Sequence, residues 1–224
     1  MTKLYLFDIE GTTTDINFVH KVLFPYSFEK MEEYLSAHKD LDSVVSAIAK
    51  VHETVRKEEG KELTFPEVIE KLKAWITSDR KHPALKEIQG LIWDSGYSKG
   101  EFKGHLYPDV LPFFKKLITE KYLIGIYSSG SVHAQKLIFG FSVFGDLTPY
   151  ISYFFDTQVG MKREKASYLN ICQATHISPA DIHFFSDIPE ELKAAQEAGM
   201  EVTHLVREGT QKSEFVGIRS FDEF

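Results

Sequence analysis

The sequence predicts an α/β fold: a parallel-sheet core interrupted, after its first strand, by an all-helical insertion. Three observations predict it. The run Leu4-Tyr5-Leu6-Phe7 is continuously apolar, as in a strand buried on both faces in the middle of a parallel sheet. Residues 18–103 carry helical periodicity and no strong strand signal. From Gly104 onward strands and helices alternate, the pattern of a parallel sheet joined by right-handed crossovers. The first strand belongs with that alternation, so a core is expected from residues 1–17 and 104–224, with a helical cap from 18–103.

Each element has its own signal. Phe28, Met31, Tyr34 and Leu35 fall at helical spacing, and Val44, Val45, Ile48, Val51 and Val55 repeat it. The polar stretch Arg56 to Glu62 reads as a loop. Thr64 with Glu67 three places on is a capping-box signature, ahead of Val68, Ile69, Leu72, Trp75 and Ile76. A last helix, Ala84 to Tyr97, closes the insertion. Beyond it, Tyr107-Pro108-Asp109 opens a helix running through Leu117 and Ile118. Tyr122 to Tyr127 is a strand ending in Ser128-Ser129-Gly130-Ser131, and Val132 to Phe139 a helix. Tyr153-Phe154-Phe155 is a short strand leading to Asp156-Thr157 and Gly160-Met161-Lys162. Glu164 to His176 is a helix, Ile182 to Phe185 a strand ending in Ser186-Asp187, Pro189 to Ala198 a helix stopped by Gly199, and Glu201 to Val206 a fifth core strand.

Composition narrows the function classes. Of 224 residues 43% are hydrophobic, enough for a packed core and too many for a disordered chain. Twenty-six Lys and Arg against 33 Asp and Glu leave a net charge of −7, which offers no basic surface to nucleic acid. No apolar run approaches the roughly 20 residues that span a bilayer, and no leader-like basic and apolar segment opens the chain. The single cysteine, Cys172, lies in a helix-like run without a basic neighbour and reads as a structural thiol. A lone cysteine cannot form an internal disulfide, which fits a reducing cytoplasm.

The chemistry is expected where the strands end. Asp8 closes the first strand, Glu10 follows it, and Gly11 lets the backbone turn. Ser128 and Ser129 close the second strand, Lys162 follows the third and Asp187 the fourth. Three acids, a hydroxyl pair and a lysine at one sheet edge suit a phosphate ester and a hard cation. Asp8 and Asp187 offer oxygen ligands of the kind Mg²⁺ takes alongside phosphate and water. The Ser128-Ser129-Gly130 turn runs into a helix whose first N–H groups favour an anion, and Lys162 adds a compact positive charge. An aspartate nucleophile at phosphorus gives a carboxyl-phosphate intermediate.

On these residues the chain resembles the haloacid dehalogenase-type phosphatase superfamily, whose core is Rossmann-like: Asp8-Ile9-Glu10-Gly11-Thr12-Thr13, a serine closing the second core strand, a downstream lysine, and Ser186-Asp187. The resemblance is strongest to its enolase-phosphatase branch. Phe24-Pro25-Tyr26, Leu85 to Gly90 with Trp93, Ile126 to Ser131, Ala134 to Leu137, Phe155-Asp156-Thr157 and Ser186-Asp187-Ile188 carry it over nearly the whole chain. Glu10, where the wider superfamily usually has Asp, is typical of that branch. The resemblance implies a Mg²⁺-dependent cytoplasmic monomer acting in methionine salvage, with one ion held by Asp8, the Glu10 main-chain carbonyl and Asp187. Ser128, Ser129 and Lys162 would hold substrate phosphate. The implied substrate is a small phosphorylated diketone, 2,3-diketo-5-methylthiopentyl-1-phosphate, enolised and then dephosphorylated to an acireductone. Beside it, Asp8 reads as the nucleophile and Glu10 as the acid and then base.

Other residues have plainer readings. Glu190 and Glu191 read as first-turn capping charges, with a place behind the metal as the alternative. Asp156 and Thr157 shape the Lys162 loop; His20, His105 and Tyr107 read as structural or hinge packing, and Trp75 and Trp93 as core. Rival readings are a phosphatase of the same fold without enolase activity, a metal-free dehalogenase attacking carbon, and a non-catalytic phosphate-binding protein. The dehalogenase has no evident use for Glu10, and the non-catalytic protein is expected to have lost one of Asp8, Glu10, Lys162 or Asp187.

Overall fold

The computed structural model describes residues 2–208 and 213–224 and divides into two compact units, Met1–Phe18 with Lys103–Phe224, and Val19–Phe102. The chain opens with β1 (Leu4–Phe7), then a helical turn, α1 (Ile16–Phe18), which runs into a π-helical turn at Val19–Leu23.

The second unit is helical throughout: α2 (Phe24–Ala37), α3 (Asp42–Glu59), α4 (Phe65–Thr77) and α5 (Pro83–Lys99). Its core is a single apolar cluster, including Met31, Leu35, Val51, Val55, Leu72, Trp75 and Ile88. Glu67 caps α4 by accepting from the Thr64 N–H and hydroxyl, both at 2.6 Å. The stretch Arg56–Glu59, expected as loop, is the last turn of α3. Arg, Lys and Glu favour helix, and Arg56, Glu58 and Glu59 pair there with Glu62, Arg80 and Lys71. The helix stops at Gly60 in the left-handed conformation. Phe28 and Val45, expected inward from spacing, are exposed; Phe28 lies beneath the Lys73 ammonium, 5.6 Å from its ring centroid. Adjacent Val44 and Val45 cannot share one helix face, and Val44 takes the core.

The first unit continues with α6 (Val110–Thr119), β2 (Leu123–Tyr127), α7 (Val132–Gly140), β3 (Tyr153–Phe155), α8 (Lys165–Thr175), β4 (Ile182–Ser186), α9 (Pro189–Glu197), β5 (Glu201–Leu205) and a two-residue β6 (Gly217–Ile218). The strands pair in parallel in the order β3-β2-β1-β4-β5-β6. This is the Rossmann-like order expected of the fold class. β1 is central: Leu6 lies between Gly125 of β2 and Phe184 of β4. Its alternation explains the unbroken apolar run. Leu4 and Leu6 join a cluster with Tyr168, Ile171 and Leu192, while Tyr5 and Phe7 meet Phe113, Phe185, Phe221 and Phe224. The strand order reverses at β1/β4, where open α/β sheets form their ligand crevice beyond the carboxyl ends.

Candidate active site

Asp8 lies one residue beyond β1, with its N–H bonded to the Phe185 carbonyl of β4 at 2.9 Å. The next residues form a tight loop. The Ile9 carbonyl accepts from the N–H groups of Thr12, Thr13 and Thr14, and Gly11 N–H donates to Thr14 O at 2.8 Å. The Thr13 hydroxyl donates to the Asp8 carbonyl at 3.1 Å. Gly11 has φ +74°, and a Cβ built on it would fall inside the Asp187 carboxylate. The glycine is thus required twice, for its backbone and for the close approach of Asp187.

Lys162 reaches this point from the loop after β3. Tyr127 and Tyr168 donate their hydroxyls to the carbonyls of Gly160 (2.9 Å) and Lys162 (2.7 Å), and Ser167 donates to Met161 O at 2.7 Å. The Lys162 ammonium pairs with Asp8 Oδ1 and with Glu191 Oε2, the latter at 2.7 Å. Glu191 also accepts the Ser186 hydroxyl at 2.9 Å. All three charged side chains are buried. Burial works against the Lys162 charge, but Asp8 and Glu191 outweigh it and hold its pKa above the usual lysine value. Burial raises the Asp8 carboxyl, with Lys162 opposing. Burial, then Glu191, pushes Asp187 up to about 6, against a lowering from Lys162.

This site fits a divalent cation. Asp187 Oδ1 is buried without a hydrogen-bond partner, and Asp8, Asp187 and Glu191 when ionised outnumber the single Lys162 charge by two. The donors are hard oxygens, suited to Mg²⁺. Among the described residues no group of three or more His, Cys, Asp or Glu side chains is arranged to hold a metal. The ligand set implied by the resemblance asks for only two carboxylates, with a main-chain carbonyl completing the protein's share.

Ser128 and Ser129 close β2, the strand beside β1. Ser128 is buried and its hydroxyl accepts from Gly130 N at 3.2 Å; Ser129 is exposed. Ser131 caps α7 by accepting from Ala134 N, and Asp156 accepts from Val132 N at 3.3 Å and Gln158 N at 2.8 Å. Asp156 therefore shapes the loop toward Lys162, as expected, and also ties it to α7. Glu10 is half-buried, bridges to Thr14, and adds to the charge felt by Asp187.

Asp8 and Lys162 are in contact, and Asp187 packs against Gly11. The reading of Glu191 as a capping charge is corrected: it is the second partner of Lys162. Exposed Glu190 retains the capping position. Gln135 was not singled out, yet its buried amide donates to Gly130 O (2.9 Å) and Phe155 O (2.8 Å), stapling the serine turn to β3. His204 was also missed. Its Nε2–H donates to Asp187 O at 3.0 Å, and Nδ1 lies 2.9 Å from the Ser213 hydroxyl.

Residues 2–199 match the family model of the haloacid dehalogenase-like hydrolases. The chain belongs to that family, and the parallel sheet with an inserted helical unit is its fold. Two curated proteins named Enolase-phosphatase E1 are each 46% identical to it. The one from Picosynechococcus is aligned over 95% of this chain and 93% of its own length, that from Aquifex aeolicus over 100% and 99%. The crystal structure of the UTR4 protein of Saccharomyces cerevisiae superposes with TM-score 0.84 at 30% identity, covering 100% of both chains. Within the family, then, this chain belongs with the enolase-phosphatases: it is an enzyme of the phosphatase kind.

Proposed function

We propose that the chain is a Mg²⁺-dependent, bifunctional enolase-phosphatase of methionine salvage. In this reading it enolises 2,3-diketo-5-methylthiopentyl-1-phosphate and then dephosphorylates the enol to an acireductone. The observation that carries the reading is the buried Asp8–Lys162–Glu191 cluster beside Asp187 at the β1/β4 strand ends. It is supported by full-length relatives that bear the enolase-phosphatase name.

Asp8 is the nucleophile. Its carboxylate oxygen bonds to phosphorus as the bond from phosphorus to the leaving oxygen breaks, giving an acyl phosphate on Asp8. Glu10 donates a proton to that oxygen, then takes one from the water that attacks the same phosphorus, releasing phosphate and restoring Asp8. Lys162 keeps Asp8 in place and balances charge on the transferring group, with Ser128 and Ser129 holding its other oxygens. Asp8, Asp187 and the Glu10 carbonyl would hold one Mg²⁺, which supplies Lewis-acid stabilisation of phosphate and enolate charge. The helical unit acts as the cap in this assignment, and the single cysteine agrees with a cytoplasmic setting.

The test is turnover of the diketone phosphate, followed by ultraviolet absorption of the conjugated enol and by exchange of the methylene protons with deuterated water. Acireductone release that stops in chelator, returns with Mg²⁺ and returns poorly with Ca²⁺ is expected, because Ca²⁺ prefers more ligands in looser geometry. Brisk hydrolysis of simple phosphates without proton exchange would leave a plain phosphatase. Full activity in chelator would remove the metal from the mechanism.

A further inference from the structure

The loop that follows Asp8 is tied to a second buried ion pair that the chemistry above does not use. Arg207, just beyond β5, pairs through Nη1 with Asp109 Oδ2 at 2.8 Å and through Nη2 with Asp109 Oδ1 at 3.1 Å. The two side chains are 8% and 5% exposed, so the pair is desolvated. The guanidinium lies over Tyr107, 4.2 Å from the ring centroid, and 5.3 Å from that of Phe221. Asp109 is further held by Phe221 N–H at 2.7 Å and the Ser220 hydroxyl at 3.0 Å, while Arg207 Nη1 also donates to Arg219 O at 2.8 Å.

The remaining reach of this guanidinium goes to one atom. Arg207 Nε (3.3 Å) and Nη2 (3.1 Å) both donate to the carbonyl of Thr12. Thr12 stands between Gly11, against which the Asp187 carboxylate packs, and Thr13, whose hydroxyl holds the Asp8 carbonyl. The next peptide is held as well: Thr13 O accepts from Tyr107 N at 3.0 Å. A buried ion pair is weak support for stability, since desolvation cancels much of its attraction. Here its geometry is spent on a loop carbonyl rather than on the sheet.

We propose that Arg207 is a positioning residue for phosphoryl transfer. Held by Asp109 and the Arg219–Phe221 segment, it fixes the Thr12 carbonyl so that Gly11 stays against Asp187 and Asp8 stays aligned. The inference rests on the reading of Asp8 as nucleophile. Its charge is neutralised by Asp109, so it acts through the loop and not as a further phosphate ligand. Lysine in its place keeps one charge but lacks the planar fork that serves Asp109 and Thr12 together.

The experiment compares wild type with Arg207→Lys and Asp109→Asn, each loaded with Mg²⁺, using a simple aryl phosphate as substrate and amide hydrogen exchange as an independent readout. Arg207→Lys is expected to lower kcat by at least about tenfold with KM changed less than about threefold, the signature of lost alignment rather than lost binding. Exchange in residues 9–14 should quicken by a similar factor while β2 and β4 keep their protection. Asp109→Asn should show the same pattern at smaller size, and it carries the test if the lysine variant does not fold. Unchanged kcat and loop exchange in both variants would overturn the proposal. So would exchange that quickens evenly through the sheet, with activity tracking only the folded fraction. A wild type that hydrolyses no phosphate ester overturns the catalytic half together with the proposed function. In that case loop exchange still decides whether Arg207 holds Thr12.

Discussion

The two units bury different things. In the helical unit the buried side chains are almost all apolar, Ser27 and Gln89 being its only buried polar residues among those described. Its ion pairs, such as Arg80–Glu58 and Lys50–Glu87, lie at the surface. The α/β unit buries Asp8, Asp109, Lys162, Glu191 and His204 beside its aromatic core. Burying charge costs free energy unless it is paired and hydrogen-bonded, and here Lys162 is paired with Asp8 and Glu191, and Asp109 with Arg207. Stability therefore governs substitutions in one unit, and geometry governs them at the strand ends of the other.

The largest expected effect breaks that geometry at its centre. Asp8→Asn keeps the side chain's shape but removes the proposed nucleophile, and aryl phosphate turnover should fall by about three orders of magnitude or more with circular dichroism unchanged. Near-normal turnover, with contaminating phosphatase excluded, would sink the acyl-phosphate route. The counterpart Ile88→Ala in the helical core should cost about 2–5 kcal/mol of stability, read from urea unfolding.

Two glycines sharpen the contrast. Gly11 and Gly60 have similar left-handed backbones, φ +74° and +66°, but a Cβ at Gly60 meets nothing within 4 Å while one at Gly11 strikes Asp187. Gly60→Ala should cost about 1 kcal/mol in backbone strain and leave kcat alone. Gly11→Ala carries the same strain and displaces Asp187 as well, so kcat should fall about a hundredfold. Equal kcat in the two variants would show that the Gly11–Asp187 contact is unimportant.

Two glutamates make the next pair. Glu58→Gln removes an exposed partner of Arg80 and should leave stability nearly unchanged. Glu191→Gln leaves an acceptor for Ser186 but takes a buried charge from Lys162, and should cost about 1–3 kcal/mol with a measurable fall in kcat. Urea unfolding of both variants checks the difference. A Glu191 variant as stable and active as wild type would mean that Asp8 alone holds Lys162.

What the sequence revealed follows the same division. β1 was legible because Leu4 to Phe7 are apolar on both faces, Asp8, Ser128 and Asp187 because each stands just past a strand, and Lys162 because it lies in the loop after one. Glu191 was not: beside Glu190 it looks like any first-turn acid, and only the phase of α9 after Pro189 turns it inward. Arg207 and Thr12 are separated by 195 positions, and no local pattern announces a contact of that span. Arg56 to Glu59 misled in the opposite sense, since the solvent face of a helix and a polar loop have the same composition. Periodicity alone did not show the strand order, because it marks strands without stating which lie side by side; only the resemblance to a Rossmann-like core implied it.

The smallest effect concerns protons at the edge of the loop that follows Asp8. His105 Nδ1 accepts from Asp15 N–H at 3.0 Å and lies 3.1 Å from the Thr14 hydroxyl. A ring nitrogen that accepts a backbone N–H carries no proton, so the fold favours neutral imidazole. Burial accordingly lowers the His105 pKa, although Asp15 pulls the other way. The unfolded chain then takes up the proton first as pH falls. The contribution is complete above the unfolded value, about 6.5, and is lost as pH drops from there through the folded value. NMR titration of the His105 ring should give a midpoint below that value, and the Asp15 amide should exchange faster once the ring is charged. His105→Gln keeps an acceptor without a titration, so its Tm should fall less than that of wild type between neutral and mildly acid pH. A midpoint at or above the unfolded value, or parallel Tm profiles for the two proteins, would show that the Asp15 contact does not depend on neutral His105.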